Sequence, residues 1–299
     1  MNKHFLYLVN PISGTKNKTA WIELIENKTR SEGIPFTLQH TNAAGDYTFL
    51  PNMIREKKIT DVIICGGDGT INQVCGAILG EGVNIGVIPM GSGNGLALAA
   101  GIPKNVSKAL DIIFAGRASY IDAFTINNKF SCMLCGLGFD AQVAHAFAVH
   151  PSRGLSTYVS LSLRNFFTAQ VYPFILQFKN LRIETEAFFI SIANSNQFGN
   201  NFTIAPRASL SDGLLDIVIV NKMSKLRWVY AMIKQIRFGQ VQLAEKEHYR
   251  KKAVHYFQTD ELTIKNPSSA PLHIDGEPAE TQTLLRIQVV GKAIRLLQP

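Results

Sequence analysis

Cysteine is scarce in this chain. Four residues, Cys65, Cys75, Cys132 and Cys135, occur in 299, too few for a disulfide framework at this length, and Cys65 and Cys75 fall in apolar runs that read as core. A reducing cytoplasm fits that usage. Cys132-Met133-Leu134-Cys135 has metal-ligand spacing, but no second pair and no nearby histidine pair completes a zinc site, which leaves two buried thiols on a strand as the reading. Long apolar runs are missing too: none approaches the ~18–20 residues of a spanning helix, so the expectation is a soluble or peripherally bound protein. The stretch from Met1 to Pro11 has a short apolar run without a small-residue cleavage site, and reads as a first strand rather than a signal peptide. Neither G-x-x-x-x-G-K-[ST] nor a strand-linked G-x-G-x-x-G with its acidic partner occurs, so a nucleotide would bind here by another scheme. No internal repeat or low-complexity tract is found.

The chain is long enough for two cores of ordinary size, with 46% apolar residues, and two domains are expected. Its formal charge of +8 is concentrated. Nine Lys/Arg stand against Glu245 and Glu247 between Lys222 and Lys252. Within that segment Leu226 to Phe238 reads as a helix with Arg227, Lys234 and Arg237 in one stripe. Such a helix suits an anionic membrane surface; a helix packed on its own domain with a solvated basic edge fits equally well. Nucleic acid is disfavoured, because the basic segment holds no recognition helix, zinc finger or base-stacking aromatic motif.

Over the first ~120 residues one theme repeats: strand, glycine-containing loop, helix. Phe5 to Val9, Phe36 to His40, Val62 to Ile64 and Ile85 to Ile88 are the strands. Such alternation predicts a parallel sheet with helices on its faces, and ligands in these sheets collect at the carboxyl ends of the strands. From about Tyr120 the texture changes to short runs rich in Phe, Ile, Val and Thr, which predicts antiparallel sheet. Two helical intervals interrupt it, Gln142 to His150 continuing toward Thr168, and the basic segment. The boundaries read as 1–120 and 121–292, with the tail 293–299 returning to the first domain as an open alternative.

The most informative stretch is Cys65-Gly66-Gly67-Asp68-Gly69-Thr70, between a strand-like run and the helix-like run Ile71 to Leu79. Glycines let backbone N–H groups approach an anion closely, and the following helix points its positive end at the same place. Asp68 would repel bare phosphate, so its presence points to a divalent cation, a hydroxyl to be deprotonated, or both. A second glycine loop, Gly91-Ser92-Gly93-Asn94-Gly95, follows one βα unit later.

Four motifs, Asn10-Pro11-x-Ser13-Gly14, Gly66-Gly67-Asp68-Gly69-Thr70-Ile71-Asn72, Gly91-Ser92-Gly93-Asn94-Gly95-Leu96-Ala97 and Asp275-Gly276-Glu277, resemble in order and spacing those of the diacylglycerol kinase catalytic-domain family, which includes bacterial lipid kinases and sphingosine kinases. The resemblance spans essentially the whole chain. It implies an α/β plus β fold: an amino-terminal phosphofructokinase-like α/β domain with a parallel sheet, a carboxyl-terminal antiparallel β-sandwich-like domain, and ATP in a cleft between them. It implies that Asn10, Pro11, Ser13 and Gly14 hold phosphate and ribose, that Thr41 lies near the nucleoside, and that Gly66, Gly67, Gly69, Thr70 and Asn72 wrap the triphosphate. Gly91, Ser92, Gly93 and Asn94 would close the site.

Asp68 and Glu277 are the implied base-and-metal pair for Mg²⁺-assisted transfer to a lipid hydroxyl, with Asp275 and Asp122 in support. On an extended strand Asp275 and Glu277 would point the same way, with Gly276 leaving room for substrate; taken alone, Asp-Gly-Glu reads as a hairpin turn. Asp122 alone reads as a turn or cap residue. Ser209, Asp212 and Leu214 resemble the segment that holds a second, structural Mg²⁺ in some bacterial members, although an Asp-Gly turn explains it equally well. Asp140 falls two places before the position of the sphingosine-kinase amine-binding acid, so it either reaches a headgroup or caps a helix. Phe147, Leu155, Tyr158, Leu161, Phe166 and Phe167 are the acyl-chain candidates. The implied partners are a lipid substrate and an anionic membrane at its cytoplasmic face, with a homodimer left open. Rival readings are an NAD kinase-like enzyme, which shares the Gly-Gly-Asp-Gly-Thr turn, and a non-catalytic lipid-binding protein.

Overall fold

The structure is a computed structural model that describes residues 3–14, 18–42, 44–152, 155–199, 202–203, 205–224, 228 and 254–299. The basic stretch 226–238, apart from Trp228, lies outside the described residues. The chain divides into two compact units, Met1–Asp122 with Lys292–Pro299, and Ala123–Gly291.

The first unit follows the βα rhythm of its sequence: β1 (Phe5–Val9), α1 (Thr19–Ser31), β2 (Phe36–His40), α2 (Leu50–Lys57), β3 (Asp61–Gly66), α3 (Asp68–Ala77), β4 (Asn84–Pro89), α4 (Gly95–Ala99) and α5 (Val106–Ala115). The strands pair in parallel in the order β2-β1-β3-β4. Every residue of β1 and β3 is buried, as expected of a parallel sheet covered on both faces. Each fully buried Ile or Leu there contributes about 1.5–3 kcal/mol. The helix after β4 is short: α4 ends at Ala99 and Gly101 takes φ +70°, before Pro103 and a fresh start at α5, capped by the Asn105 side chain.

β5 (Ala118–Ile126) carries the chain into the second unit. There follow β6 (Lys129–Ser131), β7 (Leu134–Gly138), α6 (Phe139–Ala148), α7 (Leu155–Thr168), β8 (Tyr172–Phe178), β9 (Leu181–Ala193), the small ribbon β10 (Gln197–Gly199) and β11 (Phe202–Thr203), β12 (Leu215–Asn221), β13 (Val254–Thr259), β14 (Glu261–Lys265), β15 (Leu272–Ile274), β16 (Glu277–Ala279) and β17 (Leu284–Leu297). The ladders are antiparallel. The long β9 pairs with β8 over its first half, with β7 over its second, and with β12 along its other edge. β14 joins β8 to β17, and β15 joins β7 to β16. One cluster of buried side chains, including Phe124, Phe174, Ile190, Ile217, Phe257 and Ile264, fills the interior. The end of β17 lies in the first unit, where Arg295 and Leu296 pair in parallel with Asn84 and Ile85 of β4.

Candidate functional site

In the first unit the loops leaving β1, β3 and β4 are built into one another. Asn10 donates from Nδ2 to Thr70 Oγ1 at 2.8 Å, and its Oδ1 accepts from the Ile12 amide at 3.0 Å. Ser13 Oγ donates to the Asn10 carbonyl at 3.2 Å. A Cβ on Gly14 would sit 2.3 Å from the Met90 carbonyl oxygen, and one on Gly91 only 2.6 Å from Gly67 Cα. These glycines are where backbones touch, so any side chain there would force the loops apart. Asn94, 2% exposed and left-handed at φ 55°, brackets Gly91: Oδ1 accepts from its N–H at 2.8 Å and Nδ2 donates to its carbonyl at 2.7 Å.

α3 begins at Asp68 itself, with Gly67 as its extended N-cap residue. The sequence placed the helix start at Ile71; the glycine turn is in fact the first turn of the helix. This turns the amides that open α3 toward the loop edge, where an anion is favoured. The half-buried Asp68 carboxylate accepts from the Gly95 and Leu96 amides at 3.0 and 3.3 Å, so it joins the two glycine loops. A carboxylate offers about four lone-pair sites and is an oxygen donor of the kind Mg²⁺ takes. Asn72 is half-buried on α3 and Ser92 is exposed at the loop tip. Thr41, at the end of β2, donates its amide to the Val9 carbonyl at 2.9 Å.

The second unit holds the other acidic motif. Asp275 and Gly276, at φ 48° and 83°, form the two-residue turn between β15 and β16, with Ile274 paired to Glu277. That is type I′ geometry. The extended-strand expectation is therefore corrected: Asp275 lies within a tight turn, and Glu277 begins the strand that follows it. A Cβ on Gly276 would meet nothing within 4 Å, so glycine there answers the backbone angle rather than a need for room.

The two acids have different surroundings. Asp275 is 7% exposed, and its carboxylate accepts from Ser131 Oγ at 2.7 Å and from the amides of Cys132, Met133 and Leu134 at 3.2, 3.2 and 2.9 Å. Its own amide donates to the Leu134 carbonyl at 2.8 Å. Glu277 is exposed. Cys132 lies in the turn between β6 and β7 rather than on a strand, which corrects that reading. All four thiols are free and buried, and burial pushes those of Cys65 and Cys135 up.

Residues 4–126 match the diacylglycerol kinase catalytic domain, and residues 134–298 match the YegS C-terminal NAD kinase beta sandwich-like domain. The chain belongs to the diacylglycerol kinase catalytic-domain family. Its relatives within that family include "Probable lipid kinase YegS-like" from Chromohalobacter salexigens, 26% identical over 84% of this chain and 80% of the relative. "Probable lipid kinase YegS" from Shigella flexneri is 28% identical over 90% and 88%. A solved structure of a "putative diacylglycerol kinase" from Bacillus anthracis superposes with a TM-score of 0.80 at 19% identity, covering 100% of this chain and 98% of that one; it shows the same fold. As a member of this family the chain carries a kinase catalytic domain, for which a nucleotide is the phosphoryl donor.

The remaining motif positions of this diacylglycerol kinase-type chain have specific surroundings. Asp122, 4% exposed, accepts from the Lys292 amide at 2.8 Å. It pins β17 beside β5 in the first unit, at the two residues where the chain leaves that unit and returns to it. Asp212 Oδ1 accepts from the Leu214 amide at 3.1 Å, and Ser209 Oγ from the Ser211 amide at 3.4 Å. This closes an Asx turn of oxygen-rich backbone. Among the described residues no group of three or more His, Cys, Asp or Glu side chains is placed to hold a metal; the 209–214 segment would supply one carboxylate and two carbonyls, oxygen donors of the kind Mg²⁺ takes.

Asp140 is buried in the first turn of α6, and Oδ1 accepts from the Ala141 amide at 2.9 Å. It accordingly fits the helix-end reading better than exposure to a headgroup. Phe147 and Tyr158 meet edge to face at 5.7 Å, and Phe166 lies 4.5 Å from the buried Trp228. Leu161 is buried, whereas Phe167 is 70% exposed. Leu155 opens α7. His273 was not singled out in the sequence, although it is fully buried beside the acidic turn. Gly136, a glycine in the middle of strand β7, is the signal that would have found it, since such glycines mark a close approach.

Proposed function

We propose that this protein is an ATP-dependent lipid kinase that moves the γ-phosphoryl group of ATP to the hydroxyl of a diacylglycerol-like or sphingoid-base-like acceptor. The observation that supports this most directly is the contrast within Asp-Gly-Glu: Asp275 is engaged by a hydroxyl and three amides, while Glu277 stands exposed on the turn that Asp275 anchors. Of the two, only Glu277 is presented to a substrate.

In this reading the acceptor O–H loses its proton to Glu277, or to Asp68, as the new O–P bond forms and the bond to the ADP leaving group breaks. Asn10, Pro11, Ser13, Gly14, Thr41, Gly66, Gly67, Gly69, Thr70, Asn72 and the loop 91–94 bind the nucleotide. Asp275 and Asp122 support the acidic groups. Carboxylates that include Asp68 would hold Mg²⁺, which would supply positive charge to offset that of the phosphates, and Ser209, Asp212 and Leu214 would hold a second ion. α6 and α7 contribute the apolar surface for the acyl chain. The protein works at the cytoplasmic face of an anionic membrane, which the basic stripe Arg227, Lys234 and Arg237 helps it to meet.

The test is transfer from radiolabelled ATP to a panel of diacylglycerol, sphingoid bases, phosphatidylglycerol and NAD, with Glu277→Gln and Asp68→Asn alongside. One lipid is expected to be labelled, with both variants at least about 10²-fold slower. Labelling of NAD alone would instead identify an NAD kinase. Labelling of nothing would favour a lipid-binding protein, and equal turnover by wild type and both variants would remove the mechanism.

A further inference from the structure

The acidic turn has a second anchor besides Asp275. His273 is fully buried in the middle of the short strand β15, and the Gly276 amide donates to its Nδ1 at 3.2 Å. In a two-residue turn of this kind the amide of the second central residue has no partner on the facing strand, so the imidazole holds a group that the Asp275 contacts do not reach. With Nδ1 accepting, the neutral ring carries its proton on Nε2. That nitrogen lies 3.3 Å from Asp140 Oδ2, and Asp140 in turn accepts from the Ala141 amide. The result is an unbroken hydrogen-bonded path from the first turn of α6, through a buried carboxylate and imidazole, to the backbone next to Glu277.

β7 makes space for this path. A Cβ on Gly136 would lie 1.9 Å from Asp140 Oδ2 and 2.6 Å from His273 Nε2, so only glycine at that position lets the pair form. Burial of both groups away from water makes their mutual hydrogen bond the main determinant of ring orientation. A ring held on both nitrogens cannot rotate without breaking a contact at each end.

We infer that His273, oriented by Asp140, is a positioning residue that fixes the direction of the Glu277 carboxylate through the Gly276 amide. This rests on the reading of Glu277 as a group that meets the acceptor. It does not make His273 a proton carrier in the reaction. It makes the turn stiff, so that Glu277 is presented in one orientation. Misplacement of a reacting group by about 1 Å costs up to about 10²-fold in rate.

The experiment separates the two ring nitrogens. His273→Gln keeps a polar atom near the Nε2 position to satisfy Asp140 but removes the acceptor for Gly276, while His273→Asn places an acceptor near the Nδ1 position. Turnover is measured with dioleoylglycerol and, separately, with sphingosine in detergent micelles, together with Tm and amide hydrogen exchange at Gly276. Expected is a fall in kcat of about tenfold or more for His273→Gln, with KM for ATP within about twofold, faster exchange at Gly276, and recovery of most of the loss in His273→Asn. Gly136→Ala should reproduce the kcat loss from the neighbouring strand.

Wild-type kcat in His273→Gln would overturn the inference. So would equal losses in Gln and Asn variants that track Tm, which would reduce His273 to core packing. Glu277→Gln is run in parallel: if it turns over like wild type, the role of Glu277 itself fails. If it is inactive while His273→Gln is normal, that role stands and the positioning claim falls.

Discussion

The two units place acidic groups by opposite means. In the first, Asp68 is held by backbone amides at the start of a short helix, and its loop is shaped by glycines in direct backbone contact. In the second, the turn is shaped by side chains: the buried Asp275 carboxylate gathers a hydroxyl, a thiol and three amides, and the buried His273 fixes the amide beside it. A loop made of backbone contacts can receive a phosphate on the amides it leaves facing outward. A turn anchored by buried polar side chains is suited to presenting one exposed carboxylate in a fixed direction. The difference teaches that the Asp-Gly-Glu motif divides its labour, with Asp275 holding the structure and Glu277 left exposed.

The sharpest way to break that comparison is to separate stability from turnover within the motif. Asp275→Ala leaves a hydroxyl and three amides unpaired in a buried setting and is expected to cost about 3–5 kcal/mol, read from the urea midpoint. Glu277→Gln should change stability by less than about 0.5 kcal/mol, as an exposed substitution does, while its turnover collapses. Comparable stability losses in the two would show that the acids are not differentiated.

A smaller effect distinguishes the glycines. Gly91→Ala must push Gly67 away and is expected to cost about 1–3 kcal/mol and to raise KM for ATP. Gly276→Ala meets no neighbour and carries only the left-handed backbone penalty of about 1–2 kcal/mol. It should leave KM for ATP unchanged, and Gly276→Asn should be milder still. A Gly91→Ala protein with normal nucleotide affinity would deny the close loop packing any part in binding.

The smallest expected effect is on pH. Burial raises the Asp140 carboxyl above its ordinary value, with the His273 hydrogen bond pulling the other way. The folded state therefore holds that proton more tightly than the unfolded chain. This contribution is fully present below the ordinary value of 3.8 and is lost as pH rises through the raised one. Asp140→Asn has no such titration, so its Tm relative to wild type should improve as pH rises across that window. A difference that stays flat with pH would contradict the raised value.

Much of the fold was legible in the residues. Phe5–Val9 and Phe36–His40 are read with their observed bounds, because apolar runs flanked by glycine-containing loops leave few alternatives. The change of texture near Tyr120 marks the passage from parallel to antiparallel pairing. The details of the site were less legible. The start of α3 at Asp68 is hidden by glycines that resemble loop, and Cys132 is taken from its strand because its amide turns toward Asp275, 143 positions away. Asp-Gly-Glu could be read as strand or turn, and only the pairing of Ile274 with Glu277 decided for the turn.

By itself, then, the order of residues determined the βα succession and the glycine loops at the strand ends, because periodicity and spacing are local properties that survive in one dimension, and four short motifs carried the resemblance to the kinase family. Which carboxylate is buried and which is exposed was decided only in three dimensions. The donors that engage Asp275 come from residues 131–134, and the acid that orients His273 comes from position 140. Hydrogen bonds between residues that far apart along the chain exist only once the ladder joining β7 and β15 has formed, and no pattern within either segment announces them.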